Sequence, residues 1–368
     1  ALMAPTDILA GQHYEQAKAL FEPLGVSVGL LKSGMKAAER RQVLEALEDG
    51  ALDLVVGTHA LISESVKYKN LGLVIADEQH RFGVKQRAAL MQKGTENHAL
   101  FMSATPIPRT LSMILYGDLD VSVIDEMPPG RKPVETRIVL ANKRDDMYAF
   151  LANRARQGGQ AYVVCPRIEG EEEDDQAAEQ IYTMMKKRFS DVSIGLLHGK
   201  MKQAEKQEIM EQFAKNHIQI LVSTTVVEVG VNVPNATVMV IERADRFGLA
   251  QLHQLRGRVG RGSAQSWCFL AAEREDRQRL LTMAQTQDGF EVAKADLELR
   301  GPGSFLGEEQ HGFTDAGALM LTKDAGLVEE VNRAYELLQQ PQHQADWQMV
   351  LCAAKKQYED ALGQIAMN

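Results

Sequence analysis

Apolar and polar positions follow two different periods along the chain. Short runs rich in β-branched and other apolar residues, typical of buried strands, occur at 52–56, 73–76, 99–102, 161–165, 194–197, 218–223, 237–241 and 267–270. Between them lie amphipathic segments with helical periodicity, such as 37–49 and 204–213, whose polar faces are rich in Glu, Lys and Gln. Parallel strands covered on both faces by crossover helices produce this alternation. The sequence therefore predicts an α/β fold with two open parallel sheets.

Two breaks in this pattern divide the chain. The segment 126–133 holds three prolines and one glycine, which end regular structure and make a stiff connection. Strand patterning then stops near residue 270, and helical periodicity continues at 274–286 and 290–299. We expect a first lobe at 1–140, a second lobe at 141–272, and a helical hairpin and tail at 273–368.

Composition excludes several classes of protein. No apolar run of the 368 residues approaches the ~18 needed to cross a bilayer. With 41 Lys and Arg against 50 Asp and Glu, the net charge is −9, so any nucleic-acid site must be concentrated locally. Cys165, Cys268 and Cys352 lie far apart, which indicates neither a zinc site nor a disulfide framework and favours a reducing cytoplasm. The first residues contain no initiator methionine and no basic or long apolar stretch, and we therefore expect an internal segment of a longer protein.

Two acidic residues follow one predicted strand directly. Asp77 and Glu78 come after 73–76, and ligands of open α/β sheets bind at the carboxyl ends of strands. One carboxylate can hold Mg²⁺, usually through water, while the next orients the attacking water in phosphoryl transfer. We assign Asp77 to the metal and Glu78 to the water. An Asp-Glu pair after a strand is by itself more often a polar loop or a helix N-terminus, so this assignment needs a second group of residues.

Arginine and glycine residues alternate in a segment about 180 positions further on, at 254–262. Arg258 and Arg261 are three residues apart, which places them on one face of a predicted short helix. Guanidinium groups that reach a γ-phosphate neutralise charge in the transition state, and such arginine fingers accelerate phosphoryl transfer roughly 10³- to 10⁵-fold. A basic surface loop is the alternative, but the interleaved glycines favour close backbone approach to a ligand.

These motifs resemble those of superfamily 2 helicases, in the same order. The motifs in question are Ia (Ala4-Pro5-Thr6), Ib (Val56-Gly57-Thr58-His59), II (Asp77-Glu78-Gln79-His80), III (Ser103-Ala104-Thr105-Pro106), IV (Leu197-His198-Gly199), V (223–231) and VI (254–262). The stretches 77–84, 105–110, 125–133 and 247–253 are similar to the RecG branch, the ATP-dependent DNA helicases that regress stalled replication forks. A further stretch, 296–310, resembles the translocation motif of that branch. The resemblance covers residues 1 to about 312.

The resemblance implies two RecA-like lobes, the first truncated at its N-terminus, and a motor that processes forks and Holliday junctions in DNA repair and recombination. ATP and Mg²⁺ are the implied cofactors. Branched or forked DNA is the implied partner, a single-stranded-DNA-binding protein is a further candidate, and a cytoplasmic monomer is expected. The implied roles are catalysis for Asp77, Glu78, Arg258 and Arg261; nucleotide binding for Gln79, His80, Gly230, Asn232 and Gln254; DNA binding for Pro5, Thr6, Gly57, Thr58, His198, Gly199, Ser223 and Thr224; and coupling for Ser103, Thr105, Arg300 and Gln310.

The implied DNA contacts are chemically plausible because hydroxyls and backbone N–H groups can bind phosphate oxygens without reading bases. That these Ser and Thr residues instead cap helices stays open for each of them.

The sequence departs from the family pattern at three points. No G-x-x-x-x-G-K-[ST] occurs, although a helicase needs this loop to hold the β- and γ-phosphates. We therefore expect the 368 residues alone to hydrolyse ATP negligibly. Asn232 stands where the family usually has Asp, and Ser304 stands where an acid is common. Two alternatives stay open: the motor of a transcription-repair coupling factor, and a non-catalytic DNA-binding remnant.

Overall fold

The structure is a computed structural model that describes residues 1–94, 97–104, 120–166, 173–224, 233–273, 278–300, 325–338 and 340–353. Contacts divide them into two compact units. The first comprises 1–104 and 128–287, and the second comprises the described residues of 120–127 and from 288 onward.

The strands and helices are defined as follows. The strands are β1 (Leu2–Met3), β2 (Val28–Leu31), β3 (Leu54–Gly57), β4 (Leu73–Ala76), β5 (His98–Phe101), β6 (Val134–Val139), β7 (Gln160–Val164), β8 (Ile194–Leu197), β9 (Ile220–Ser223), β10 (Ala236–Ile241) and β11 (Ser266–Ala271). The helices are α1 (Asp7–Phe21), α2 (Ala37–Asp49), α3 (Val84–Met91), α4 (Arg144–Arg156), α5 (Glu173–Arg188), α6 (Gln203–Ala214), α7 (Leu249–Arg256), α8 (Gln278–Gln285), α9 (Gly289–Arg300) and α10 (Ala325–Leu338).

The first sheet has the strand order β2-β3-β1-β4-β5, with parallel pairing throughout. Successive strand residues face opposite sides, so Val55 packs with Leu47 of α2 whereas Val56 packs with Ala10 of α1. Both faces of the sheet are therefore buried, which explains the continuous apolar strand runs in the sequence.

The second sheet has the order β6-β11-β10-β7-β9-β8 and is also parallel. All eight predicted strands exist, with ends shifted by at most two residues. Three strands were not predicted: β1 has only two residues, β2 contains a glycine, and β6 alternates apolar with polar residues because it lies at a sheet edge. Since β6 belongs to the second sheet, the boundary between the sheets lies before Val134 and not at residue 140 as expected.

The two sheets contain a repeated unit. Residues 26–58 align without a gap to 192–224, so that Val28 corresponds to Ile194 and Thr58 to Thr224, a constant offset of 166 positions. This segment is β2-α2-β3 in the first lobe and β8-α6-β9 in the second. Corresponding backbone bonds recur: Thr58 N donates to Leu31 O at 3.2 Å, and Thr224 N donates to Leu197 O at 3.2 Å.

A second repeat covers the loops after β4 and β10. Glu78 (φ 52°) and Arg243 (φ 47°) both adopt the left-handed conformation, which is uncommon for residues other than glycine. A short 3₁₀ turn follows each of them, at Gln79–Arg81 and Ala244–Arg246. The first loop begins with Asp77 and the second with Glu242, which is 3 % exposed and accepts a hydrogen bond from the Tyr148 hydroxyl at 2.6 Å. The acidic group of the second loop is therefore part of the core.

The helical part begins later than expected. Helix α8 packs against β6 in the first unit, and the second unit contains α9, α10 and the helical residues 344–353. In that unit the rings of Tyr335 and Trp347 meet edge to face at 5.4 Å. Within the described part of the chain, no helix combines the length and apolar character that spanning a membrane requires.

Candidate functional site

The carboxyl edge of the first sheet gathers residues from four motifs. Four neighbouring strands, in the order β3-β1-β4-β5, each end in residues of one motif. Thr58 follows β3, Pro5 and Thr6 follow β1, Asp77 and Glu78 follow β4, and Ser103 follows β5. Parallel strands bring these segments to one edge although up to 98 positions separate Pro5 from Ser103. Expected DNA contacts and expected catalytic acids are therefore on neighbouring strands.

The two acids are held by different neighbours. The Asp77 backbone N–H donates to Met3 O at 3.0 Å, and the Asp77 carboxylate accepts a bond from Nε2 of His13 at 2.9 Å. Glu78 accepts a long bond from the Ala104 backbone N–H, at 3.4 Å to Oε2. Each acid thus contacts a different flanking segment, α1 for Asp77 and the residues after β5 for Glu78.

Residues Gln79 and His80 lie in the 3₁₀ turn after the acids. The backbone N–H of Gln79 donates to Met102 O at 2.9 Å, and its side chain is buried. This bond joins motif II to the end of β5.

The arginines of motif VI do not lie on a helix, contrary to the expectation. Helix α7 ends at Arg256, and Arg258 and Arg261 follow it in a loop that contains Gly260 at φ +73°. Gly260 is required there, because a Cβ atom would lie 2.7 Å from Cγ2 of Val134 and the left-handed conformation disfavours side chains. The helix ends early because glycines at 257, 260 and 262 destabilise helical backbone.

Electrostatics link the acids to this loop within the first unit. Desolvation lowers the pKa of Arg261, and the charges of Arg258 and Arg131 lower it further, whereas Tyr162 and Glu78 act in the opposite direction. Glu78 of the first lobe and Arg261 of the second are therefore within electrostatic range of each other. Arg261 nevertheless keeps its charge near neutral pH.

Arg131, in the proline-rich connection, has a contact that the sequence did not indicate. Its Nε donates to Gly260 O at 2.8 Å. The connection between the lobes is thereby attached to the arginine loop, beside Arg261.

Arg256 has a structural role. It is 4 % exposed, and its guanidinium donates to Met283 O at 2.8 Å and to Thr286 O at 2.7 Å, at the C-terminus of α8. A cation at this position also interacts favourably with the helix dipole. Motif VI is thus attached directly to α8.

Most of the expected DNA-contact hydroxyls do not cap helices. The side-chain oxygens of Thr58, Ser223 and Thr224 are buried and have no hydrogen-bond partner in the described structure, and the same holds for Nδ1 of His198. Only Thr6 caps a helix, since its Oγ1 accepts from Leu9 N at 3.4 Å. Buried polar groups in native proteins are nearly always satisfied, by water or a ligand where protein groups are absent. Thr58 and Thr224 occupy equivalent positions of the repeat.

The other expected site residues are placed as follows. Gly57 ends β3, where a Cβ atom would lie 2.2 Å from Leu31 O, and Gly199 O accepts from Nζ of Lys206 at 2.7 Å. Gln254 lies on α7, and Arg300 ends α9. Thr105, Gly230, Asn232 and Gln310 lie outside the described residues.

The donor set at Asp77 fits a magnesium ion. Mg²⁺ prefers oxygen ligands and is usually bound by one or two carboxylates together with water and substrate phosphates. Among the described residues, no group of three His, Cys, Asp or Glu side chains could enclose a metal. The Asp77 carboxylate would therefore supply one oxygen ligand, with water and substrate phosphates supplying the others.

Comparison with known families identifies the class. Residues 1–114 match the DEAD/DEAH box helicase family, and residues 142–263 match the family described as the helicase conserved C-terminal domain. The first match spans all five strands of the first sheet, and the second spans β7, β8, β9 and β10 of the second sheet. The chain belongs to the superfamily 2 helicases, as its motifs indicated.

The relatives identify the branch. ATP-dependent DNA helicase RecG of Synechocystis is 51 % identical over 343 residues, which are 92 % of this chain and 41 % of that protein. The RecG of Bacillus subtilis is 54 % identical over 334 residues, 89 % of this chain and 49 % of that protein. The chain is a RecG-like helicase segment, and it spans about half the length of the curated relatives that it matches, or less.

Solved structures agree with the fold. The structure of RecG bound to a three-way DNA junction has a TM-score of 0.70 and 45 % identity, covering 89 % of this chain and 43 % of that chain. Yeast Dbp5 bound to RNA and ADP BeF3 has a TM-score of 0.56 at 13 % identity, covering 82 % and 74 %, which shows the fold alone. The predicted fold class of two RecA-like lobes is confirmed.

Proposed function

We propose that this chain is the motor region of an ATP-dependent DNA helicase of the RecG type, which couples ATP hydrolysis to movement on branched duplex DNA. The observation that carries the proposal is the placement of the two motifs within one compact unit: Asp77 and Glu78 follow β4 at the carboxyl edge of the first sheet, and Arg258 and Arg261 lie in the loop after α7. A nucleotide between two such groups meets the acid of one lobe and the cation of the other. Relatives named RecG at about half identity favour this branch over a transcription-repair coupling factor.

The chemistry follows from the chain's own groups. Asp77 is the carboxylate that holds Mg²⁺, which supplies charge neutralisation at the phosphates when bound. Glu78, the next residue, is half-buried at the edge of the sheet, and we assign its carboxylate to orienting the attacking water. Arg258 and Arg261 neutralise charge on the transferred phosphoryl group. Gln79, His80, Gly230, Asn232 and Gln254 complete the nucleotide contacts.

DNA is held along the same edges by groups that do not read sequence. Thr58 and Thr224 directly follow β3 and β9, and Ser223 ends β9; these side chains are buried, so a local rearrangement on DNA binding would let their hydroxyls donate to phosphate oxygens. Because Thr58 and Thr224 are equivalent in the repeat, each lobe has one hydroxyl of the same kind. A change in the separation of the lobes during the ATP cycle would move two similar contacts relative to each other.

The remaining assignments belong to the same proposal. Pro5, Thr6, Gly57, His198 and Gly199 complete the DNA track. Ser103, Thr105, Arg300 and Gln310 couple hydrolysis to movement. The partner is branched or forked DNA, with a single-stranded-DNA-binding protein as a second candidate, and the protein acts as a monomer in the cytoplasm.

Substitution of Glu78 tests the proposal. In the full-length gene product, Glu78→Gln keeps the side-chain volume but removes the charge that orients water. We expect DNA-stimulated ATPase to fall about 100-fold or more, the range for loss of a catalytic base, while the dissociation constant for forked DNA changes by less than about two-fold. Steady-state phosphate release and fluorescence anisotropy measure the two quantities.

Glu45→Gln on α2 is the matched control, because Glu45 is exposed and pairs only with Arg41 on its own helix. It should leave both quantities unchanged. Wild-type turnover in Glu78→Gln would remove Glu78 from the proposed role. Absence of ATPase from the wild-type gene product would favour a non-catalytic DNA-binding protein instead.

A further inference from the structure

We propose that His13 is a positioning residue that fixes the Asp77 carboxylate and links it to the DNA-binding end of α1. The inference rests on the proposed function, because it takes Asp77 as the magnesium carboxylate and Thr6 as a DNA contact. It adds a residue outside every motif considered above.

The contact is direct. Nε2 of His13 donates to Oδ2 of Asp77 at 2.9 Å, between residues 64 positions apart in the chain. The side chains are 25 % and 22 % exposed, so the bond lies at the edge of the sheet and not within the apolar core. The backbone of Asp77 is separately tied to Met3 of β1. Asp77 is therefore attached twice to the β1-α1 segment, once through its backbone and once through its side chain.

The helix that carries His13 begins at the expected DNA contact. Thr6 is the N-cap of α1, and His13 lies seven positions further along, about 10 Å along a helix axis. An α-helix of this length moves as a stiff element. A shift of Thr6 on DNA binding would therefore be transmitted to His13 and from there to one oxygen of Asp77.

Glu78 has its own connection, on the other side. Its carboxylate accepts from Ala104 N, in the segment that resembles motif III. The two acids are thus linked to two different elements, and His13 supplies the link that reaches the motif Ia helix. A carboxylate with one oxygen engaged by His13 has a defined orientation, which leaves the other oxygen available.

The test compares three proteins with the wild-type full-length gene product. His13→Ala removes the donor, His13→Gln places an amide N–H at a similar reach to Nε2, and His98→Gln is the control, since His98 is exposed at the opposite end of the first sheet. Two coupling ratios are measured. The first is the ATPase rate with forked DNA divided by the rate without it, and the second is the factor by which ADP with Mg²⁺ changes the dissociation constant for forked DNA. The midpoint of thermal unfolding is the third readout.

We expect His13→Ala to reduce both coupling ratios about five-fold or more, which is the lower range of measured couplings between sites, and to leave the unfolding midpoint within a few degrees. His13→Gln should restore both ratios to within about two-fold of wild type, and His98→Gln should match wild type. A role in packing alone would instead lower the unfolding midpoint and basal ATPase together.

Wild-type coupling in His13→Ala would overturn the inference, and so would a loss of stability that accounts for the whole effect or a failure of His13→Gln to restore coupling. Asp77→Asn, measured in parallel, separates this result from the proposed function. If Asp77→Asn retains ATPase, the assignment of Asp77 fails and the inference fails with it. If Asp77→Asn abolishes ATPase and His13→Ala has no effect, only the inference fails.

Discussion

Arg256 shows how one residue can serve a motif without taking part in chemistry. Its guanidinium is buried, and burial lowers its pKa, yet it keeps its charge and donates to two carbonyl groups at the end of α8. The last carbonyl groups of a helix usually lack a partner within the helix, and they need donors from outside it. Arg256 supplies such donors at the end of α8, whereas Arg258 and Arg261 lie in the loop that follows α7.

We expect Arg256→Met to destabilise the chain by about 2–4 kcal/mol, because it removes the donor to the buried Met283 carbonyl and a donor to the half-buried Thr286 carbonyl. Denaturant unfolding monitored by circular dichroism measures the change. Arg137→Met is the control: Arg137 is exposed and pairs with Glu135, so its loss should cost less than about 0.5 kcal/mol. Equal effects of the two substitutions would contradict the structural role of Arg256.

At the level of secondary-structure elements, the repeated β-α-β unit closes in the same way in both lobes, but with different chemistry. In the first lobe the Ser27 backbone N–H and hydroxyl donate to Oδ2 of Asp53 at 2.8 and 2.7 Å, and these bonds lower the pKa of Asp53. In the second lobe the equivalent Ser193 N–H donates to Oε1 of Gln219 at 3.0 Å. The first contact is charged and the second is neutral.

This difference predicts that acid destabilises β2-α2-β3 more than the equivalent segment β8-α6-β9. The pKa of Asp53 is lower in the folded protein than in the unfolded chain. Asp53 therefore contributes its full stabilisation above its unfolded pKa of about 3.9, and this stabilisation is lost as the pH falls through its folded pKa. In Asp53→Gln, the protection of backbone amides of β2 and β3 against hydrogen exchange should therefore depend less on pH below about pH 4. Hydrogen exchange read by mass spectrometry between pH 5 and 2.5 measures it.

The reciprocal change, Gln219→Asp, provides the matched comparison, since it should introduce acid sensitivity into β8 and β9 by the same mechanism. If the pH profile of β2 and β3 is the same in Asp53→Gln as in the wild type, the Ser27 contact does not control local stability.

At the level of the whole molecule, these 368 residues contain only some of the groups that an ATP-hydrolysing site needs. The acids, the arginines and the hydroxyls proposed to contact DNA are present, but no phosphate-binding loop occurs in the sequence. Such a loop supplies the backbone N–H groups and the lysine that hold the β- and γ-phosphates. Its contribution cannot be replaced by Asp77 or Glu78, which carry the same sign of charge as the phosphates.

We expect the 368-residue chain to hydrolyse ATP at less than about 1 % of the rate of the full-length gene product, since loss of phosphate stabilisation alone costs factors of 10² or more. Phosphate release with saturating forked DNA compares the two proteins. Glu78→Gln of the 368-residue chain serves as the background. Robust turnover above this background would show that phosphate binding here does not need such a loop.

The local pattern of residues determined most of the elements. The predicted runs correspond to β3–β5 and β7–β11, because burial on both faces makes a strand apolar throughout, and α2 was predicted over its full length because its apolar stripe has helical periodicity. The motif order also placed Asp77 and Glu78 at a strand end, where the structure has them.

Only the tertiary structure decided which distant groups meet. His13 and Asp77 are 64 positions apart, and Arg131 and Gly260 are 129 positions apart. It also decided that Arg258 and Arg261 leave α7, and that β6 joins the second sheet. Local periodicity reports whether a position is buried, but a pair of side chains meets through strand order and crossover connections, which depend on the packing of the whole chain.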